Sequence, residues 1–179
     1  MKGFSSKVQI PDGLRAPVPR YMIRLATARD LDALVRHRRG MWEDIGGYEA
    51  KRLDAHDRLY RRWAREKIRT RKFIAWVAER GGAVVASGAV WLQPTQPHPK
   101  VRLGPVPYLL SMYTEPEHRG NRLASRIVLA AMRWARREGY PRMTLHASDM
   151  GRNVYSRAGW KRTWEMRAKL DRSQRKRRH

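Results

Sequence analysis

The chain has 179 residues, no cysteine, and 40 lysines and arginines against 16 aspartates and glutamates, a formal net charge of +24. The missing cysteines exclude a disulfide framework, a thiolate zinc site and a cysteine nucleophile. Its 41% hydrophobic content suits one domain with a real core, and the charge excess points to a polyanionic partner.

Residues 1–19 carry Gly3, Gly13, Pro11, Pro17 and Pro19 with little apolar periodicity, so they read as a basic arm. The domain is expected over 20–170, and 171–179 as a basic tail. No apolar run near the N-terminus could act as a signal or span a bilayer, so the chain reads as soluble and cytoplasmic, with no membrane partner. Residues 21–25 suit a short strand, and Thr27 with Asp30 resembles a capping arrangement opening a helix with Leu31, Leu34, Val35, Met41 and Trp42 on one side. Gly46-Gly47 is expected to end it.

A second helix is predicted over 53–68 from the apolar spacings of Leu59, Tyr60, Trp63, Ala64 and Ile68. Its other face carries Arg58, Arg62, Arg65 and Arg69, a stripe that could follow a phosphate backbone or be a solvated face. Residues 73–78 and 83–86 flank Gly81-Gly82 as an antiparallel hairpin, with the second strand extending towards Trp91-Leu92. A proline-rich loop over 94–107 leads into a strand at 108–114. A helix then places Leu123, Ile127, Ala130 and Trp134 on one face and stops near Gly139. A strand at 143–147, a short helix at 151–158 and a last strand at 163–170 complete the chain.

The run Arg119-Gly120-Asn121-Arg122-Leu123-Ala124 lies between a strand and a helix. Such a turn can aim several backbone N–H groups at one point, where the helix dipole also favours an anion. On its own this is weak evidence, since strand-turn-helix units are common as plain structure. Three segments make it specific: Tyr113-Thr114-Glu115-Pro116-Glu117-His118-Arg119-Gly120, then Leu145-His146-Ala147-Ser148, then Val154-Tyr155-Ser156-Arg157-Ala158-Gly159-Trp160. In order and spacing they resemble the successive signatures of the GNAT N-acetyltransferase superfamily. The resemblance is strong over 108–166, weaker over 20–92 and absent from both ends.

The resemblance implies a single mixed α/β (α+β) domain, with a central, mostly antiparallel sheet flanked by about four helices. It implies acetyl-CoA as donor substrate and no metal. Backbone amides of Arg119, Gly120, Asn121, Arg122, Leu123, Ala124 and Ser125 would hold the pyrophosphate. Met112, Tyr113 and Thr114 would pair with the pantetheine as an added strand would. Arg122 stands where the family usually has its first glycine. Tyr155 aligns with the tyrosine that protonates the departing thiolate, a plausible acid with its ordinary pKa of about 10. Ser148 either meets the cofactor arm or caps the short helix. Ser111 is the polar side chain that the central strand offers to catalysis, and Glu43, Asp44 and Glu165 are the carboxylates available as base. His118 reads as an exposed loop residue and His146 as a strand residue with a satisfied ring.

The acceptor is expected to be a small-molecule or peptide amine, and related proteins often pair as dimers. Two alternatives use the charge: an aminoacyl-tRNA as acyl donor, or acetylation of a tRNA- or ribosome-associated amine, with tRNA or another RNA as partner. The tail is consistent with both, because 152–178 holds eleven basic residues against Glu165 and Asp171.

Overall fold

A computed structural model describes residues 20–96 and 104–168. The arm, the tail and the middle of the proline-rich loop therefore lie outside the described residues. Five strands follow one another across one sheet in chain order: β1 (Met22–Leu25), β2 (Phe73–Arg80), β3 (Ala83–Gln93), β4 (Val106–Thr114) and β5 (Thr144–Leu145). Pairing is antiparallel up to β4 and parallel between β4 and β5. Four helices flank the sheet: α1 (Leu31–Ile45), α2 (Ala50–Arg69), α3 (Leu123–Arg137) and α4 (Asp149–Arg157). The expected architecture is the observed one.

Thr27 and Asp30 do form a capping box, but it closes a single 3-10 turn, Ala28–Asp30, that runs straight into α1. Asp30 also accepts both nitrogens of Arg24 at 2.8 Å, and that contact holds its carboxyl at about 2. The β2–β3 connection is the two-residue turn foreseen: Arg80 pairs with Ala83, and Gly81 and Gly82 have φ of 57° and 81°. A turn with positive φ at both central positions matches the right-handed twist of the strands.

Two cores sit on opposite faces of the sheet. One joins Trp76, Ala78, Val85, Ala86, Val90 and Leu109 to Leu123, Ile127, Val128 and Ala131 of α3. The other packs Leu31, Leu34 and Val35 of α1 and Tyr60 and Ala64 of α2 on Phe73, Ala75, Val77 and Ala89. Full burial of each large apolar side chain contributes roughly 1.5–3 kcal/mol, so both helical faces are fixed by this contact. On α3 the deepest stripe is Leu123, Ile127, Val128, Ala131 and Ala135, one position round from the predicted face through Ala130 and Trp134, which are only half-buried. Leu59 is a second correction. At 63% exposed it lies outside the buried face of α2.

The C-terminal part departs most from expectation. β5 has two residues instead of the predicted five, and 160–168 contains no strand, although Leu170, the last residue of that prediction, lies outside the described residues. Trp164 and Met166 are exposed, so the alternation in this segment has no apolar surface to face. Among the described residues, no helix is long and apolar enough to cross a membrane.

Candidate functional site

The site grows from an irregularity in β4. Ser87 pairs with Tyr113 while Ala89 pairs with Leu110, so β4 carries one residue more than β3 between these points. This β-bulge centres on Ser111, whose φ of 53° is left-handed. A bulge bends its strand and re-aims side chains. Leu110 faces the α1/α2 core, and Ser111 faces the same way, accepting a hydrogen bond from Arg38 Nη1 of α1 at 2.8 Å. Met112 packs on the α3 side, and Tyr113 returns to the α1 side beside His37. Gly88 makes this possible, since a Cβ there would lie 2.1 Å from Met112 Sδ. Gly40 does the same for Tyr113, whose ring would sit 2.6 Å from an added Cβ.

The bulge also separates β4 from β5. Their register consists of Tyr108 with Thr144 and Leu109 with Leu145, and beyond it the β5-facing edge of β4 from Leu110 to Thr114 has no strand partner among the described residues. Two strands diverging from a short paired segment leave a wedge lined by backbone N–H and C=O groups. An extended ligand carrying amides could pair there as an added strand would.

At the mouth of the wedge the chain turns into α3. Arg119 is extended, Gly120 has φ of 82° and Arg122, the N-cap of α3, has φ of 57°. The first backbone bond of α3 runs from Arg126 N–H to Arg122 C=O at 3.1 Å. The N–H groups of Leu123, Ala124 and Ser125 thus have no helical acceptor, and with the helix dipole they favour an anion. Asn121 braces the turn by donating from Nδ2 to the carbonyls of His118 and Arg119 at 3.0 and 3.3 Å. The Arg119 guanidinium donates to Thr114 C=O at 3.1 Å and to Asp44 at 2.5 Å, which leaves its backbone to serve the turn.

The conformation of Arg122 explains why glycine suits this position. A left-handed residue with a side chain costs roughly 1–2 kcal/mol. Arg122→Gly is therefore expected to stabilise the protein by about 1 kcal/mol. Thermal denaturation checks this; an unchanged or lower Tm would contradict it.

Tyr155 lies on α4 and packs with Trp160 against the α3-side core. Gly151 leaves room for its ring, since a Cβ there would stand 2.9 Å from Tyr155 Cε2. Burial, with Tyr108 adding a smaller effect, pushes its phenol up to about 12. A phenol so placed keeps its proton at any physiological pH. Ser148 caps α4 by accepting from Gly151 N–H at 3.2 Å, so its hydroxyl is occupied in the manner of an N-cap.

The three candidate carboxylates are each engaged. Glu43 pairs with Arg39 at 2.9 Å and Asp44 with Arg119, while Glu165 contacts His146 Nε2, whose Nδ1 in turn meets the Tyr108 hydroxyl. His146, left without a role by its sequence context, is thus the middle of a phenol–imidazole–carboxylate chain. Tyr108 precedes Leu109, which is in the α3-side core, so by strand alternation it faces the α1/α2 side.

A second such chain is buried: Ser87 Oγ meets His37 Nδ1 at 2.9 Å, and His37 Nε2 meets Glu115 at 3.1 Å. With Ser87 and His37 at 2% and 1% exposure no substrate reaches it, and it fastens α1 to β3 and to the end of β4. Sequence reading had no signal for it, since its members are 50 and 78 positions apart.

Arg58, Arg62, Arg65 and Arg69 are all exposed along α2, and none forms an ion pair among the described residues. They stand apart from the wedge. A cavity of about 360 Å³ lies beside the C-terminal end of α3, lined by Arg136, Tyr140, Arg142, Trp160 and Lys161. α3 has 15 residues and so is about 22 Å long, which places this cavity far from the loop that opens it.

Comparison with known proteins agrees with this geometry. The profile of the Acetyltransferase (GNAT) family matches residues 32–160. A GCN5-related N-acetyltransferase from Ralstonia eutropha superposes with a TM-score of 0.76 at 28% identity, covering 84% of this chain and 99% of the other. A predicted acetyltransferase with acetyl-CoA from Clostridium acetobutylicum gives 0.76 at 26%, covering 85% and 96%. An aminoglycoside N-acetyltransferase in complex with CoA shares the fold, with a TM-score of 0.65 at 17% identity over 89% and 99% of the two chains. No curated protein sequence matches. With its bulged β4, diverging β5 and amide-rich turn into α3, the chain belongs to the GNAT acetyltransferase family and is an acyltransferase.

Proposed function

We propose that this protein transfers an acetyl group from acetyl-CoA to an amine by direct attack, within a domain spanning residues 20–170. The observation that carries the reading is the wedge between β4 and β5 leading to the unpaired N–H groups at the start of α3. Bound there, acetyl-CoA supplies an activated thioester. Backbone amides of Gly120 to Ser125 receive its pyrophosphate, and the free edge of Met112 to Thr114 takes the pantetheine amides and polarises the acyl carbonyl.

The amine nitrogen forms a bond to the carbonyl carbon, and the carbon–sulfur bond then breaks. Tyr155 gives its proton to the departing sulfur. Tyr108, facing the α1/α2 side, accepts a proton from the amine as it passes its own to His146 Nδ1, with Glu165 holding Nε2. Ser111, accepting from Arg38, is the polar side chain that the bulge adds beside this path.

An aminoacyl-tRNA donor, suggested by the charge excess, is less well supported, because the free edge of β4 and the amide-rich turn suit a pantetheine and a pyrophosphate. The arginine stripe of α2 remains the surface by which RNA would bind.

Release of free thiol measured with a thiol-reactive dye tests the function. The protein has no cysteine, so the signal comes from coenzyme A alone. We expect amine-dependent thiol release and saturable binding of coenzyme A in calorimetry. Absence of binding at millimolar ligand would reject the proposal, and thiol release abolished by ribonuclease would place the acceptor amine on an RNA.

A further inference from the structure

The α1/α2 side of the bulge holds an unusual group of side chains. Arg38 is half-buried, and among the described residues it hydrogen-bonds Ser111 alone and pairs with no carboxylate. Its guanidinium carbon sits 4.6 Å over the Tyr60 ring and 5.5 Å from Trp42. Arg38 Nε is buried with no acceptor. So are Trp42 Nε1 and, on α2, His56 Nδ1, and the Trp42 and His56 rings are 6.2 Å apart. The one nearby carboxylate, Asp57, is taken by Arg39 at 2.9 Å.

A partly desolvated cation without a counter-ion and buried nitrogens without partners are both unfavourable. Two ring nitrogens and the guanidinium's own Nε thus form one cluster of buried nitrogens with no hydrogen-bond partner among the described residues.

We infer that Arg38, Trp42 and His56 form the subsite that binds a carboxylate on the acceptor, making the acceptor an amino acid or similarly small amino-carboxylate. This rests on the proposed acetyl transfer, since Arg38 is anchored to Ser111 at the bulge beside the wedge. A single carboxylate fits better than a phosphate. Burial lowers the His56 pKa, so among the described residues Arg38 is the cation that meets the orphaned nitrogens. The guanidinium also excludes polycationic amines. The carboxylate would accept from Arg38 Nε, Trp42 Nε1 and His56, while the aromatic rings of Trp42 and Tyr60 line the approach. Tyr48, 41% exposed and edge-on to Trp42 at 5.4 Å, follows the Gly46-Gly47 turn.

The test uses the proteinogenic amino acids, their carboxamides and spermidine, with the wild type, Arg38→Leu and Trp42→Phe. In thermal shift without acetyl-CoA, at least one amino acid should raise the Tm of the wild type while its carboxamide does not. Arg38→Leu should abolish the shift. Its own unliganded Tm should rise, because an apolar residue replaces a half-buried, unpaired charge. In turnover, kcat/KM for the acid should exceed that for its amide by roughly 10²-fold and fall to near parity in Arg38→Leu, with Trp42→Phe intermediate. Equal shifts for acid and amide, preference for spermidine, or a lower unliganded Tm in Arg38→Leu would each overturn the inference. Loss of turnover with the acid-specific thermal shift intact would instead count against the acetyl transfer alone.

Discussion

Replacing Tyr155 with phenylalanine is expected to lower kcat by roughly 10²–10³-fold, the usual contribution of a positioned general acid. KM for acetyl-CoA should change little, because the ring keeps its packing against the α3-side core and only the hydroxyl is lost. The pH profile separates this role from a structural one. With the phenol raised to about 12, the wild type should show no alkaline loss of kcat from this group up to pH 10. Steady-state thiol release across pH checks both points. A phenylalanine variant with unchanged kcat would remove Tyr155 from the chemistry and return it to the core.

His37→Ala is expected to destabilise the fold by roughly 3 kcal/mol, since it opens a cavity, leaves Ser87 without its partner and removes one of the two side chains that hold Glu115. For a chain of this size that lowers Tm by roughly 6–12 °C. The loss should depend on pH. Burial lowers the His37 pKa against the pull of Glu115, so the folded protein keeps the ring neutral where the unfolded chain would protonate it. Its stability is fully present above the unfolded value of about 6.5 and falls as pH drops below it. Burial also works to raise the Glu115 carboxyl, but hydrogen bonds from Arg36 and His37 outweigh it and hold the group below its usual range. Lowering the pH from 7.5 to 5.5 should therefore cost the wild type more Tm than the variant. His56 has its pKa lowered by burial too, and the difference between the two proteins isolates His37. Equal slopes would show that the buried imidazole does not titrate with unfolding.

Much of the fold was legible because its signals are local. Two glycines with positive φ set the β2–β3 hairpin, Thr27 and Asp30 capped the first turn, and the apolar period of α3 was off by only one position. The last strand was not legible in the same way. Alternation in 163–170 specifies a strand only if a neighbour offers an edge and an apolar face, and neither meets Trp164 or Met166.

The site divides along the same line. Arg119 to Ser125 could be read from sequence because an anion-binding turn is contiguous, and its chemistry lies in backbone N–H groups that need no distant partner. Tyr155 could be read because its neighbours carry a motif. Arg38, His146 and His37 could not, since the meaning of each comes from residues far away: Ser111, Tyr108 with Glu165, and Ser87 with Glu115. By itself, then, the sequence determined the family and pointed to Arg119 to Ser125 and to Tyr155, because these are written in short segments. Only the tertiary structure decided that Ser111 sits on a bulge, that His146 links Tyr108 to Glu165, and that half-buried Arg38 pairs with no carboxylate among the described residues. Burial and charge pairing are properties of surroundings, and those exist only once the chain has folded.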